Sequence, residues 1–225
     1  MEKIRSYVDR KPGSFKVQLF WAQWLLANGK KSEARNALLA AKSADPKQVA
    51  PDLMLSRIDV DAGNLQAARD RLQPLVASGT ENLEAQMLLA GIEDATNNPV
   101  GAIDLYNRVV AMDGRNLVAL NNLAFGLSRD DARLDEALKY AQKAKELAPD
   151  DSHALDTLGW IYYRKGLYQL AVKELELALA AASRPAIQFH LGLTYKRLGD
   201  SRKGDQLVAT ALTAQPDLIK TAPLP

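Results

Sequence analysis

The chain repeats itself, and that constrains its fold more than any other feature. Leu158-Gly159, Tyr162, Gly166, Ala171, Leu175 and Ala178 return 33 residues later, in the same order, as Leu191-Gly192, Tyr195, Gly199, Gly204, Val208 and Ala211. Working backwards gives further copies. With first positions at Phe15, Val49, Leu83, Leu117, Ser152 and Pro185, successive starts lie 34, 34, 34, 35 and 33 residues apart. Position 8 then reads Ala22, Ser56, Ala90, Ala124, Gly159, Gly192, and position 20 reads Ala34, Ala68, Ala102, Ala137, Ala171, Gly204. All are small. Ala, Gly and Ser make up roughly a quarter of the chain, so twelve such residues arise by chance on the order of 10⁻⁷, before allowing for the choice of register.

Two helices per copy explain the columns. Where they cross as an antiparallel hairpin, small residues let the backbones approach, and larger ones fill the space beside them. The fillers are Trp21, Leu55, Leu89, Leu123, Leu158 and Leu191 at position 7, and Leu38, Leu72, Tyr106, Ala141, Leu175 and Val208 at position 24. Gly29, Gly63, Gly166 and Gly199 suit a turn that needs positive φ, with Asn97 as the substitute. Pro46, Pro149 and Pro216 end second helices, since proline cannot continue one; Thr80, Gly114 and Ser183 mark the other boundaries less sharply. The copy from Leu117 has one extra residue in Arg129-Asp130-Asp131-Ala132-Arg133 and no turn glycine, which predicts a longer or distorted turn. The copy from Ser152 is one residue short, which predicts a tight link at Ala182-Ser183-Arg184-Pro185.

These motifs resemble the tetratricopeptide repeat, whose period is about 34 residues. The resemblance implies an all-α fold, a right-handed superhelical solenoid of antiparallel helix pairs. Its repeats are expected at 15–48, 49–82, 83–116, 117–151, 152–184 and 185–218, with helix from about residue 2 to 215 and no strand. Residues 1–14 read as helix B of a preceding repeat whose helix A is missing, as in a piece of a longer protein; a native start on a capping helix is the alternative. Residues 219–225, with Pro223 and Pro225, are expected to be irregular. Ile4 and Val8 at one end, and Leu207, Val208, Ala211 and Leu212 at the other, are expected to leave apolar end faces that favour weak end-to-end self-association.

Composition narrows the function. Among 225 residues, 29 basic and 27 acidic side chains give a net charge of +2, which offers no electrostatic case for nucleic acid or anionic membranes. With no cysteine, disulfides, thiolate metal sites and thiol nucleophiles are excluded. No apolar run approaches the roughly 18 residues of a membrane span, and no apolar stretch of a signal peptide follows Met1. His153 and His190 are the only histidines; with Asp156 nearby they make a poor metal set, and hydrogen-bonding roles are the expectation. Gly29-Lys30-Lys31-Ser32 lacks the first glycine of a phosphate loop, since Trp24 stands there. No nucleophile elbow occurs. The expectation is a protein that is not an enzyme and takes no cofactor or metal.

In the family the A helices line the concave face, with positions 2, 5, 9, 12 and 13 pointing into it. By resemblance, the early copies place Leu19, Leu26, Leu53, Val60 and Met87 there, with Lys16, Gln23 and Arg57 among them; the aliphatic ones read as packing. The later copies place Asn121, Phe125, Arg129, Asp156, Trp160, Tyr163, Arg164, Phe189, Lys196 and Arg197, the candidate protein-binding groove. Aromatic and Arg side chains are the types that most often carry binding energy. Two readings are open for Trp160 and Phe125, ligand contact or sideways packing against the next A helix, and Trp160 and Phe189 are expected to be neighbours. The family's terminal-carboxylate clamp is missing: its positions hold Asn121, Phe125 and Thr157. Leu120-Asn121-Asn122-Leu123-Ala124 with Leu155-Asp156-Thr157-Leu158-Gly159-Trp160 resembles the last repeats of bacterial tetratricopeptide lipoproteins of exosortase (PEP-CTERM) exopolysaccharide systems, over about residues 117–216. That resemblance implies a membrane-anchored periplasmic parent, with the cytoplasm as the alternative. The expected function is a scaffold that holds a peptide or helix of a partner protein; structural self-assembly by end-to-end stacking is the alternative.

Overall fold

The computed structural model describes residues 6–8, 10–77 and 82–221. Residues 6–8 are helical; thirteen α-helices and one 3-10 turn follow, with no strand among the described residues. The helices pack as sequential antiparallel pairs: α1 (Phe15–Ala27) with α2 (Lys31–Ala44), α3 (Ala50–Asp61) with α4 (Leu65–Ala77), α5 (Leu83–Ala95) followed by α6 (Pro99–Met112), α7 (Leu117–Leu127) with α8 (Leu134–Leu147), α9 (Ser152–Arg164) with α10 (Tyr168–Ala181), and α11 (Pro185–Arg197) with α12 (Ser201–Ala214). A short α13 (Leu218–Thr221) ends the described chain.

Local chemistry sets these boundaries. The side chains of Asn82, Asn116 and Asp151 accept a hydrogen bond from the backbone N–H two or three residues on, capping α5, α7 and α9. The turns within pairs use left-handed backbone where the sequence offered it: φ is 73° at Gly29, 76° at Gly63, 72° at Gly166, 91° at Gly199 and 58° at Asn97. The turn with the extra residue is the distorted one. Asp130 caps a 3-10 turn (Asp131–Arg133) before α8 begins. The link from α10 to α11 is only Ala182-Ser183-Arg184.

The chain divides into two compact units, 1–105 and 106–225, with the boundary inside α6. In the first, Ala22, Leu25, Ala34, Ala37, Leu38, Leu55 and Ile58 form a buried cluster, with the Trp21 and Trp24 rings stacked 5.0 Å apart beside it. In the second, the largest cluster joins Trp160, Tyr163, Ala171, Leu175, Phe189, Leu191, Tyr195, Ala211 and Leu218. All twelve residues of the two small columns are buried. A Cβ built on Gly159 would lie 2.6 Å from Leu175, and one on Gly192 2.9 Å from the carbonyl oxygen of Gly204, so these hairpins close to backbone contact.

The C-terminal tail departs from expectation. Residues 219–221 are helical in α13, not irregular, and Leu218 is buried in the cluster against which Leu207, Val208 and Leu212 pack. The prolines stand at 223 and 225, beyond this turn, and an apolar anchor pays for ordering it. The C-terminal face is therefore partly covered by its own chain, which weakens the basis for stacking at that end. At the other end Val8 is buried; Ile4 and residues 222–225 lie outside the described residues.

Candidate protein-binding surface

Within the second unit, α9 packs against both α7 and α11. Each residue advances about 100° around an α-helix, so positions 5, 9, 12 and 13 share an arc of roughly 100°. Equivalent positions on α7, α9 and α11 therefore line one side of this layer. The structure sorts the sequence candidates there by burial. Asn121, Phe125, Asp156 and Arg164 are half-buried, whereas Arg129, Lys196 and Arg197 are exposed.

Trp160, Tyr163 and Phe189 are not available to a ligand, being 2%, 5% and 2% exposed. For Trp160, packing against the next A helix replaces ligand contact. Its ring stacks on Tyr163 at 4.9 Å and on His190 of α11 at 4.3 Å, and Phe189 joins the same cluster. The physical reason is the small-residue crossing. It draws α9 and α11 so near their partners that large rings at these positions are pulled between helices instead of standing out from them. Phe125 stays half-buried, with the Arg129 guanidinium over its ring at 5.5 Å.

The polar groups are held in place. His190 Nδ1 lies 2.8 Å from Asp156 Oδ1, while His153 contacts Arg184, so the two histidines have separate partners. Arg164 donates through Nη2 to Asp131 Oδ1 at 2.7 Å, bridging α9 to the 3-10 turn. Its Nη1 is closed off from solvent without a hydrogen-bond partner, as is Asn121 Oδ1. Arg197 Nε lies 3.5 Å from the Tyr163 hydroxyl, which holds the guanidinium pKa above its ordinary value. Lys196 pairs with Asp205 at 2.7 Å. Among the described residues no group of three His, Asp or Glu is placed to hold a metal ion.

Two sets of polar residues escaped the sequence reading. In the first unit Asp59, 2% exposed, takes Arg35 at 2.5 Å and Arg71 at 3.4 Å, while Asp52 takes Lys42 at 2.5 Å. Glu93 takes Arg69 in a two-bond fork at 2.9 Å. In the second unit Lys145 holds the buried Glu174 at 2.7 Å. The available signal was a carboxylate in an otherwise apolar column: position 11 reads Leu25, Asp59, Glu93, Leu127, Tyr162, Tyr195.

Tetratricopeptide-repeat models match residues 53–116 and 152–184. These stretches are tetratricopeptide repeats, and the fold around them is the repeat's stack of antiparallel helix pairs. The chain is 28% identical over 195 residues to a TPR repeat-containing protein of Pseudomonas aeruginosa, covering 84% of this chain and 32% of that one. It is 26% identical over 154 residues to human protein O-mannosyl-transferase TMTC1, covering 67% of this chain and 18% of that one. The chain thus spans a third or less of the length of these curated relatives. Among solved structures, YrrB, described as a TPR protein with an unusual peptide-binding site, superposes with a TM-score of 0.69 at 17% identity, over 82% of this chain and 95% of that one. MamA superposes with 0.63 at 25% identity, over 71% and 93%. The Cut9–Hcn1 complex gives 0.73 at 18% identity, over 98% and 45%. No helix among the described residues is long and apolar enough to cross a membrane.

Proposed function

We propose that this tetratricopeptide scaffold binds a peptide segment of a partner protein along the face formed by α7, α9 and α11. The observation that carries the reading is the arrangement of that face. Partly exposed Asn121, Phe125, Arg129, Asp156, Arg164, Lys196 and Arg197 recur at equivalent positions of three adjacent helices, over a buried layer of stacked rings. Rigid support lowers the ordering cost of binding, and an aromatic ring beside arginines is a common anchor. That YrrB, of similar fold, has a peptide-binding site supports the same reading.

The test is selection of binding peptides from a displayed random library, followed by titration into the Phe125→Ala/Lys196→Ala double variant. Lys196 is exposed and Phe125 half-buried, so circular dichroism and melting temperature of the variant check that the fold is retained. The reading expects affinity to fall at least tenfold; unchanged affinity contradicts it. An envelope setting beside an exopolysaccharide export system is the finer part of this proposal. It rests on the lipoprotein-like runs Leu120–Ala124 and Leu155–Trp160. Fractionation of cells expressing the full-length protein tests it, with recovery in the periplasmic or membrane fraction expected and recovery in the cytosol contradicting it.

A further inference from the structure

We infer that the partner segment is acidic and extended, with carboxylates three residues apart that seat on an arginine column formed by Arg129, Arg164 and Arg197. This deepens the proposed function and rests on it. The three residues occupy position 13 of three successive copies: Arg164 and Arg197 end α9 and α11, and Arg129 lies two residues beyond the end of α7. The equivalent residues of the first unit are Ala27, Asp61 and Ala95, so the column is confined to the second. It is also distinct from the family's terminal-carboxylate clamp, whose positions here hold Asn121, Phe125 and Thr157.

The charge on two of the three arginines is not internally neutralised. Arg129 and Arg197 form no ion pair with a described residue; one lies over the Phe125 ring and the other beside the Tyr163 hydroxyl. Asp130, next to Arg129, is engaged in capping the 3-10 turn. The other carboxylates near the face have partners of their own, His190 for Asp156 and Lys196 for Asp205.

Arg164 shows the ligand chemistry the column accepts. Only 11% of its side chain is exposed, yet it holds a carboxylate, Asp131, that is itself 83% exposed. Asp131 uses one oxygen on one nitrogen, and Nη1 is left without a partner. A guanidinium matches a carboxylate best through two parallel N–H···O bonds. Asp131 is therefore a replaceable occupant, carried to the site by the extra residue in the turn. A partner carboxylate takes the place of the exposed Asp131 on Nη2, while Nη1, closed off from solvent, stays out of its reach.

The spacing follows from geometry. Packed helices lie about 8–10 Å apart, and an extended chain advances about 3.3 Å per residue. Three residues of partner thus span one step from helix to helix, which gives acidic residues at i, i+3 and i+6. Arginine at a helix C-terminus also complements the macrodipole, a role that requires no spacing in any ligand.

The experiment is fluorescence anisotropy with a labelled nine-residue peptide carrying Asp at its second, fifth and eighth positions. Two controls carry Asn at those positions, or the same three Asp residues in adjacent positions. The spaced acidic peptide is expected to bind at least tenfold tighter than either control, to weaken with salt, and to lose at least tenfold in Arg129→Ala/Arg197→Ala. Asp131→Asn is expected to tighten binding severalfold, since it removes the competing carboxylate. Equal affinity for the Asp and Asn peptides overturns the inference, as does an unchanged affinity in the double arginine variant. If library-selected neutral peptides still bind the same face, only the acidic specificity falls. If no peptide contacts α7, α9 or α11, the proposed function falls with it.

Discussion

At Gly192 the two helices of the last pair meet backbone to backbone, and no side chain can intervene. A Cβ there would meet the Gly204 carbonyl at 2.9 Å and the Val208 nitrogen at 3.0 Å, neither of which can swing away. Gly192→Ala should therefore force the pair apart. Ala171, fully buried with its carbonyl facing Gly159, is the matching point in the preceding pair. Overpacking of this kind costs about 1–3 kcal/mol, so Ala171→Leu should lower the melting temperature by several degrees. Ala180→Leu, on the exposed side of α10, should leave it within about a degree. Equal melting temperatures for the two variants would show that the small column does not set the crossing. Chemistry at one residue also predicts a pH response. Burial, reinforced by the hydrogen bond to Glu176, raises the Tyr195 phenol above its ordinary pKa, and the hydrogen bond with Tyr195 raises Lys203. Both raised values favour the protonated forms in the fold. Their stabilisation is complete below the ordinary values of 10.0 and 10.5 and is lost as pH rises through the folded ones. Melting temperature should fall above about pH 10, and fall less steeply in Tyr195→Phe; identical slopes would contradict the assignment.

At the scale of helices, the junctions between pairs are stapled by charge as well as by apolar contact. Arg35 of α2 reaches Asp59 of α3, and Arg69 of α4 reaches Glu93 of α5. Both pairs are separated by 24 residues, so one bridge recurs at consecutive junctions. Breaking a buried pair from one side leaves charge without a partner, at about 3–5 kcal/mol. Asp59→Ala, which strands Arg35 and leaves Arg71 only Asp52 at 3.9 Å, should approach that loss in urea unfolding; a loss below about 1 kcal/mol would mean water already screens the site. The bridges were illegible in advance because a carboxylate in one copy of an apolar column looks like ordinary divergence. Its partner lies on another helix, where sequence spacing gives no direct cue. The turns and helix starts were legible, because Gly29, Gly63, Asn97, Gly166 and Gly199 report a backbone angle directly. The site was legible only in part. Position along a helix names the face but not the depth, and Trp160 sits between α9 and α11 although its column faces the groove. Trp160→Ala should accordingly cost stability, about 3–5 kcal/mol for a buried aromatic. Wild-type unfolding with weakened peptide binding would return Trp160 to the ligand face.

At the scale of the molecule, both units staple junctions with ion pairs, Lys145–Glu174 among those of the second, but the arginine column belongs to the second alone. In residues 1–105 the buried carboxylates Asp52, Asp59 and Glu93 are taken up by Lys42, Arg35, Arg71 and Arg69. In residues 106–225 three arginines stand at or just beyond helix ends with a single internal carboxylate, Asp131, among them. Under the proposed function the partner meets the second unit and leaves the first untouched. Amide hydrogen exchange with and without a saturating library-selected peptide tests this most directly. The account predicts new protection in the last turns of α7, α9 and α11 and in the 131–133 turn, with α1 to α4 unchanged. Protection confined to α8, α10 and α12, or to residues 15–77, would contradict it.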